Sequence, residues 1–187
     1  MTLYIKNMVC DRCKAAVRGV FADNGIEVDE VGLGVVRTAG SVPAAKLDCI
    51  RRALEAQGFC LLQDGRQKTV ERIKALVIEM LRHSGGGAQG RNVSAFLADR
   101  LHSDYSALSK LFSAETGTTI EKYVIAQKVE LAKELISYGE MSLTEIANRM
   151  GYSSVAYLSA QFKAVTGMTP SQYKNSENKS RRELDRV

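Results

Sequence analysis

No cysteine occurs after Cys60, so disulfide staples and thiolate metal sites are excluded from the last two thirds of the chain. No window approaches the roughly 20 consecutive apolar residues that a membrane span needs. The opening residues, MTLYIKNMVCDR, lack the apolar stretch of a signal peptide. A cytoplasmic chain with no membrane partner is therefore expected. Histidine is scarce: only His83 and His102 occur, neither at a spacing from cysteine or carboxylate that builds a site, so surface roles are expected. No nucleophile, base and acid fall into a catalytic pattern, and the chain is not expected to be an enzyme. Gly85-Gly86-Gly87-Ala88-Gln89-Gly90 lacks the Gly-Lys-Ser/Thr ending of a phosphate loop, and Gly32-Leu33-Gly34 reads as a hairpin rather than a dinucleotide turn. No organic cofactor is expected.

The 187 residues include 45% hydrophobic and 25% charged side chains, an ordinary globular composition that supports a packed core. That length accommodates one large domain or two small ones, and two are expected. Four cysteines, Cys10, Cys13, Cys49 and Cys60, crowd the first third. In a reducing compartment such clustering suggests metal or redox chemistry more than structural bridges. Charge is also uneven. Residues 1–65 carry 8 Lys/Arg against 8 Asp/Glu, whereas residues 66–187 carry 18 against 13, so the whole surplus of +5 lies in the second segment and favours an anionic partner there.

Loose alternation predicts a strand over 3–8, and Ala15, Val17 or Arg18, and Phe21 recur at helical spacing over 11–23. Asn24-Gly25 stops that helix, β-branched runs follow at 26–31 and 35–38, and Ser41-Val42-Pro43 opens a second helix to about Gln57 with Leu47, Ile50, Ala53 and Leu54 on one stripe. Gly58 ends it, and Phe59-Cys60-Leu61-Leu62 supplies a last strand. The order βαββαβ closes naturally as a ferredoxin-like α+β domain over 1–64, both helices covering one face of a four-stranded sheet. Gln63-Asp64-Gly65 is too short for a free tether, so a restricted relative orientation is expected. Beyond it the periodicity is helical throughout. Val70, Ile73, Leu76, Val77, Met80 and Leu81 stripe one helix before the breaker Ser84-Gly85-Gly86-Gly87, and six more helices follow. Ser142-Leu143-Thr144-Glu145 is a capping box and Thr169-Pro170 an N-cap before a first-turn proline. The polar tail, 175–187, is expected to fray.

Leu97-Ala98-Asp99-Arg100-Leu101, followed by Tyr105-Ser106-Ala107-Leu108-Ser109-Lys110-Leu111-Phe112, returns as Ile146-Ala147-Asn148-Arg149-Met150, followed by Tyr152-Ser153-Ser154-Val155-Ala156-Tyr157-Leu158-Ser159-Ala160-Gln161-Phe162. Each copy ends in Thr-Gly, at Thr116-Gly117 and Thr166-Gly167, and combines a short helix, a tight turn and a second helix anchored by Leu and Phe. That is a helix-turn-helix pattern, and its duplication within an all-α domain, joined by a long helix over 119–137, sharpens the signal. At about 1.5 Å per residue the connector spans roughly 28 Å. Adding the helices' widths brings the two second helices near the ~34 Å between successive major-groove faces of B-DNA. A double-stranded DNA operator, bound by a monomer or homodimer, is the expected partner.

Over 66–174 the chain resembles the DNA-binding domain of AraC/XylS-family transcription regulators. The resemblance rests on Leu108-Ser109-Lys110-Leu111-Phe112 with Glu115-Thr116-Gly117, on Ile146-Ala147-Asn148-Arg149-Met150-Gly151-Tyr152, and on Gln161-Phe162-Lys163 with Thr166-Gly167-Met168-Thr169-Pro170. It implies that the outer faces of both second helices enter the major groove, by position Ser106, Ser109 and Lys110 in the first copy and Val155, Ala156 and Ser159 in the second. The second set is small, so base hydrogen bonds are expected mainly from the first copy and thymine-methyl or backbone contacts from the second. Phosphate contacts fall to Ser153, Ser154, Lys163 and helix N-termini. RNA polymerase is a further partner if the protein activates transcription. The alternative for each of these residues is a solvated helix face.

Met8-Val9-Cys10-Asp11-Arg12-Cys13 lies where the first strand passes into the first helix. Cysteines three apart at a helix start can point both sulfurs into one site, and the positive helix end favours thiolate. Two soft donors favour Cu(I), satisfied by two sulfurs, over Zn(II), whose closed sites want four ligands. A redox pair and a ligand-free fold element are the alternatives. Met8-x-Cys10-x-x-Cys13 inside βαββαβ, over about 2–64, resembles the heavy-metal-associated (HMA) domain of copper chaperones and metal-transporting ATPases. The resemblance implies metal on Cys10 and Cys13, Met8 packed beneath the loop, and Phe59 close to the site. This sequence departs from that pattern at Asn7, where those domains usually carry glycine, and at Arg12, which adds a cation. Cys60 is an extra sulfur, a candidate third ligand or disulfide partner. Cys49 is expected to pack as a small hydrophobe on its helix.

The combined expectation is a transcription regulator in which metal or oxidation at Cys10 and Cys13 reshapes the loop and shifts the fraction of chains able to dock both second helices. Two rivals stand beside it: a metal carrier whose helical half binds protein, and a DNA-binding regulator whose first domain docks a protein without metal.

Overall fold

The computed structural model describes residues 1–83 and 92–176. The expected glycine breaker and the expected frayed tail lie outside the described residues, apart from the tail's first two positions. The chain divides into two compact units, Met1–Leu76 and Val77–Val187.

The first unit contains β1 (Thr2–Lys6), α1 (Asp11–Asp23), β2 (Val28–Gly32), β3 (Val35–Thr38), α2 (Ala44–Ala56), β4 (Cys60–Leu62) and the opening turns of α3 (Gly65–His83). Its four strands form one antiparallel sheet in the order β2-β3-β1-β4. Central β1 pairs Tyr4 with Val35 of β3 and Lys6 with Cys60 of β4. Period-two alternation sends Leu3 and Ile5 of β1 into a core shared with Val17 and Phe21 of α1 and with Ile50 and Leu54 of α2. On α2 the predicted stripe is the observed one. On α1 the expected stripe is corrected. Val17, Val20 and Phe21 are buried, with Cys13 and Ala16 packed beside them, whereas Ala15 and Arg18 are exposed. Each residue turns a helix by about 100°, so position 18 cannot share the inward line of 17 and 21. Cys49 is likewise corrected, since it is exposed on α2 rather than packed.

Gly34 occupies the β2–β3 turn at φ +73°, a left-handed conformation that favours glycine. Its carbonyl accepts the Ile5 N–H at 3.0 Å, and a Cβ there would stand 3.7 Å from Ala75 Cβ of α3. The Lys68 ammonium of α3 lies 5.7 Å from the centre of the Tyr4 ring.

The second unit, among the described residues, is helical throughout. It holds the last turns of α3, then α4 (Val93–Leu101), α5 (Tyr105–Thr116), α6 (Ile120–Tyr138), α7 (Leu143–Arg149), α8 (Val155–Thr166) and α9 (Pro170–Asn175). Six of these starts carry side-chain caps, from Asn92, Asp104, Thr119, Ser142, Ser154 and Thr169. Each accepts a backbone N–H that the helix leaves unpaired. The Ser142–Glu145 box read from the sequence is present, and a second joins Thr169 to Gln172. The Glu145 carboxylate accepts the Ser142 N–H at 2.7 Å, which holds its pKa below the usual carboxylate range. Leu97, Leu108, Phe112, Ile120, Val129, Ile146, Leu158 and Phe162 are fully or almost fully buried. Among the described residues of this unit, Lys133 and Glu130 form an ion pair buried among apolar side chains, at 2.7 Å. No described helix is long and apolar enough to cross a membrane.

Candidate nucleic-acid interface and thiol loop

The internal repeat extends from sequence into geometry. α5 and α8 match at a constant spacing of fifty residues, with Leu108 and Leu158, then Phe112 and Phe162, facing inward. Asp104 caps the Ala107 N–H at 3.1 Å, and Ser154 caps the Tyr157 N–H at 3.1 Å. The Thr116 hydroxyl donates to the Phe112 carbonyl at 2.7 Å, as Thr166 does to Phe162 at 2.7 Å. Gly117 and Gly167 then leave each helix in left-handed conformations, φ +71° and +81°. Phe112 meets Tyr123 at a ring separation of 5.6 Å, and Phe162 meets Tyr173 at 5.6 Å. The copies differ in the turn before the second helix. His102-Ser103-Asp104 serves the first, whereas Met150-Gly151-Tyr152-Ser153-Ser154 is two residues longer. Both turns contain a left-handed residue, His102 at φ +48° and Gly151 at φ +71°.

Of the candidate groove readers, Ser106 and Lys110 on α5 and Ala156 on α8 are exposed, while Ser109, Val155 and Ser159 are half-buried. Ser153, Ser154 and Lys163 are exposed. Ser154 uses its oxygen as a helix cap, which leaves its proton available to a phosphate. Sequence comparison passed over two outward positions, Ala107 and Tyr157. They lie three residues before Lys110 and Ala160 on the same exposed line, opposite the Leu–Phe anchors. Tyr157 is 51% exposed, one of the few large apolar side chains so placed. Helix phase, counted outward from Leu158, would have found it.

The two copies face a common cavity of about 410 Å³. On its wall the Tyr105 hydroxyl donates to Glu121 at 2.5 Å, which lowers the Glu121 carboxyl; burial first, and then this bond, raises the Tyr105 phenol. Burial, with a smaller contribution from Tyr157, pushes the Tyr152 phenol up to about 12, so Tyr152 stays a proton donor at neutral pH.

At the other candidate site, in the first unit, Cys10 is the N-cap of α1, and its sulfur lies 3.4 Å from that of Cys13. Asn7 stands at φ +73°, the conformation that a glycine would adopt freely. Its amide donates to the Gly58 carbonyl at 2.9 Å, fastening the loop to the turn between α2 and β4. Met8, 3% exposed, and Phe59, 8% exposed, belong to the core of the unit. Two expectations are corrected here. Burial raises the Cys13 thiol and outweighs the backbone hydrogen bonds at Val9 and Cys10 that lower it, so the helix start does not make Cys13 a ready thiolate. Cys60 is exposed, all four cysteines are free thiols, and no group of three or more metal-donor side chains occurs among the described residues, so Cys60 completes no third ligand position.

One measurement follows from that raised thiol. A higher pKa means a smaller thiolate fraction, so at about pH 8 iodoacetamide should label exposed Cys49 and Cys60 before Cys13. Mass spectrometry of timed quenches would show the order, and Cys13 reacting first would contradict the burial argument.

Repeated caps, repeated glycine exits and repeated Phe–Tyr stacks define residues from Val93 onward as a paired helix-turn-helix unit. Residues 97–176 match a protein family described as a helix-turn-helix domain. The chain is 31% identical over 112 residues, covering 57% of it, to a probable transcriptional regulator, LumQ, of Photobacterium leiognathi. It is 34% identical over 73 residues, covering 39% of it, to the HTH-type transcriptional activator RhaR of Salmonella arizonae. These matches span 42% and 26% of the two relatives' own lengths, less than half of either. Among solved structures, the C-terminal domain of AraT, a response regulator from Geobacillus stearothermophilus, aligns with 58% of this chain and 88% of its own, at 27% identity and TM-score 0.49.

Proposed function

We propose that the chain is a DNA-binding transcription regulator of the AraC/XylS type whose first unit, an HMA-like ferredoxin fold, senses a thiophilic metal or thiol redox state. The observation that carries the DNA half is the duplication itself: two helix-turn-helix copies, alike down to their caps, joined by a 19-residue helix. Transcriptional regulators among its relatives support the same reading. The exposed face of α5 offers Ser106 and Lys110 as polar readers, and α8 offers Ala156 and Tyr157 for apolar contact with bases. In the sensing half, the strand order β2-β3-β1-β4, the left-handed Asn7 and buried Met8 support the HMA-like reading. Two half-buried thiols in contact, with no third His, Cys, Asp or Glu grouped with them among the described residues, fit a two-coordinate soft ion such as Cu(I) better than a closed zinc site. Cys10 and Cys13 would hold the ion, and Asn7 and Met8 would hold the loop.

Genome-wide footprinting with and without copper, zinc and oxidant tests both halves together. Discrete protected sites are expected, with occupancy that changes on treatment. Binding to one such site should weaken steeply with salt. Lys110→Ala should cost about 1–3 kcal/mol at that site if the ammonium reads a base, measured by fluorescence anisotropy. Unselective binding with no salt slope would reject the DNA half. Treatment-independent occupancy would reject the sensing half.

A further inference from the structure

The wall of the cavity between the two helix-turn-helix copies carries a cation with no acceptor assigned to it. Lys128, on α6, is half-buried, and its ammonium stands 5.0 Å from the centre of the Tyr152 ring. It forms no ion pair with any described residue. Burial alone lowers its pKa, the mark of a cation held without a compensating charge. Tyr152 is 3% exposed, and its hydroxyl has no hydrogen-bond partner among the described residues. The one carboxylate on the wall, Glu121, is engaged by the Tyr105 hydroxyl. The remaining lining is largely aromatic and aliphatic. The Tyr152 and Tyr157 rings meet edge to face at 5.7 Å, and Gln161 donates to the Tyr157 hydroxyl at 3.0 Å.

We infer that this cavity is a binding site for a small organic anion with one carboxylate and a flat apolar body. A half-buried ammonium with no counter-charge calls for an acceptor that carries negative charge. The aromatic walls call for a ring, because inorganic anions gain nothing from them. A volume of about 410 Å³ lies within the range of small-molecule sites. Tyr105 comes from the first copy, Tyr157 and Gln161 from the second, and Lys128 from the helix between them. A bound anion therefore touches both copies at once.

The test is calorimetric titration of the full chain, without DNA, using benzoate as the probe and benzyl alcohol and inorganic phosphate as comparisons. It stands or falls independently of the DNA reading. Saturable one-to-one benzoate binding is expected, weakened about tenfold or more in Lys128→Met, as loss of a charged hydrogen bond implies. Tyr157→Ala, at a position 51% exposed, should also weaken it, which keeps the test decisive if Lys128→Met fails to fold. Benzyl alcohol and phosphate should each bind at least about tenfold more weakly than benzoate. Absence of saturable benzoate binding, equal affinity in the variants, or phosphate matching benzoate would each overturn the assignment.

Discussion

Phe162→Ala is expected to destabilise the second unit by about 3–5 kcal/mol, enough to remove much of the stability of a small helical unit. The Phe162 side chain is 0% exposed and packs at 5.6 Å against Tyr173, so truncation leaves a cavity bordered by α9 as well as a lost aromatic pair. Its backbone carbonyl also accepts the Thr166 hydroxyl ahead of the Gly167 exit, so relaxation of the helix end would reach the cap of α9. Urea denaturation followed by circular dichroism measures the cost. Tyr173→Phe supplies the control. The Tyr173 hydroxyl is buried without a hydrogen-bond partner among the described residues, so its removal should be neutral or stabilising while the ring contact stays. If both variants lost the same stability, the Phe–Tyr stack would not be what holds α8 in place. Phe112→Ala, in the matching position against Tyr123, should behave as Phe162→Ala does.

That symmetry was legible in the sequence because it is local. Leu108 and Phe112 lie four residues apart on one helix, as do Leu158 and Phe162, and Thr-Gly closes both helices. The capping box at Ser142 was equally visible, since all its partners lie within one turn. The order of the elements in the first unit also followed from periodicity, whereas the pairing of Tyr4 with Val35 and of Lys6 with Cys60 needs contacts far apart in the chain. What could not be read was burial at single positions. Cys49 beside Ile50, and Arg18 beside Val17, differ from their inward neighbours by one step of helix phase. Cys13 shows the same limit in its chemistry. Its place in the first turn of α1 suggests a thiolate, but Cys13 packs partly buried against the apolar core that holds Met8 and Val17, and desolvation prevails. The cavity at Lys128 combines residues from 92 to 161, a constellation that no spacing rule reveals.

The double variant Cys10→Ser with Cys13→Ser is expected to lose Cu(I) binding altogether. Under anaerobic conditions, Cu(I) buffered about a thousandfold above its dissociation constant should stabilise the wild-type chain by about 4 kcal/mol, because a ligand held only by the folded state adds to its stability. The double variant should gain nothing from the same buffer. Serine preserves the size of each side chain, and the loop keeps its other anchors, the Asn7 bond to Gly58 and buried Met8, so the metal-free folds should differ little. Each single variant leaves one soft donor and should lose most of the gain. Zn(II) should stabilise far less than Cu(I), since two sulfurs fill half of a tetrahedral shell. An undiminished gain in the double variant would move the site to Cys49 or Cys60. No gain in the wild-type chain would reject metal sensing and leave the 3.4 Å pair as a dithiol. In that event a mild oxidant should remove both thiols together, and operator affinity before and after oxidation becomes the deciding measurement.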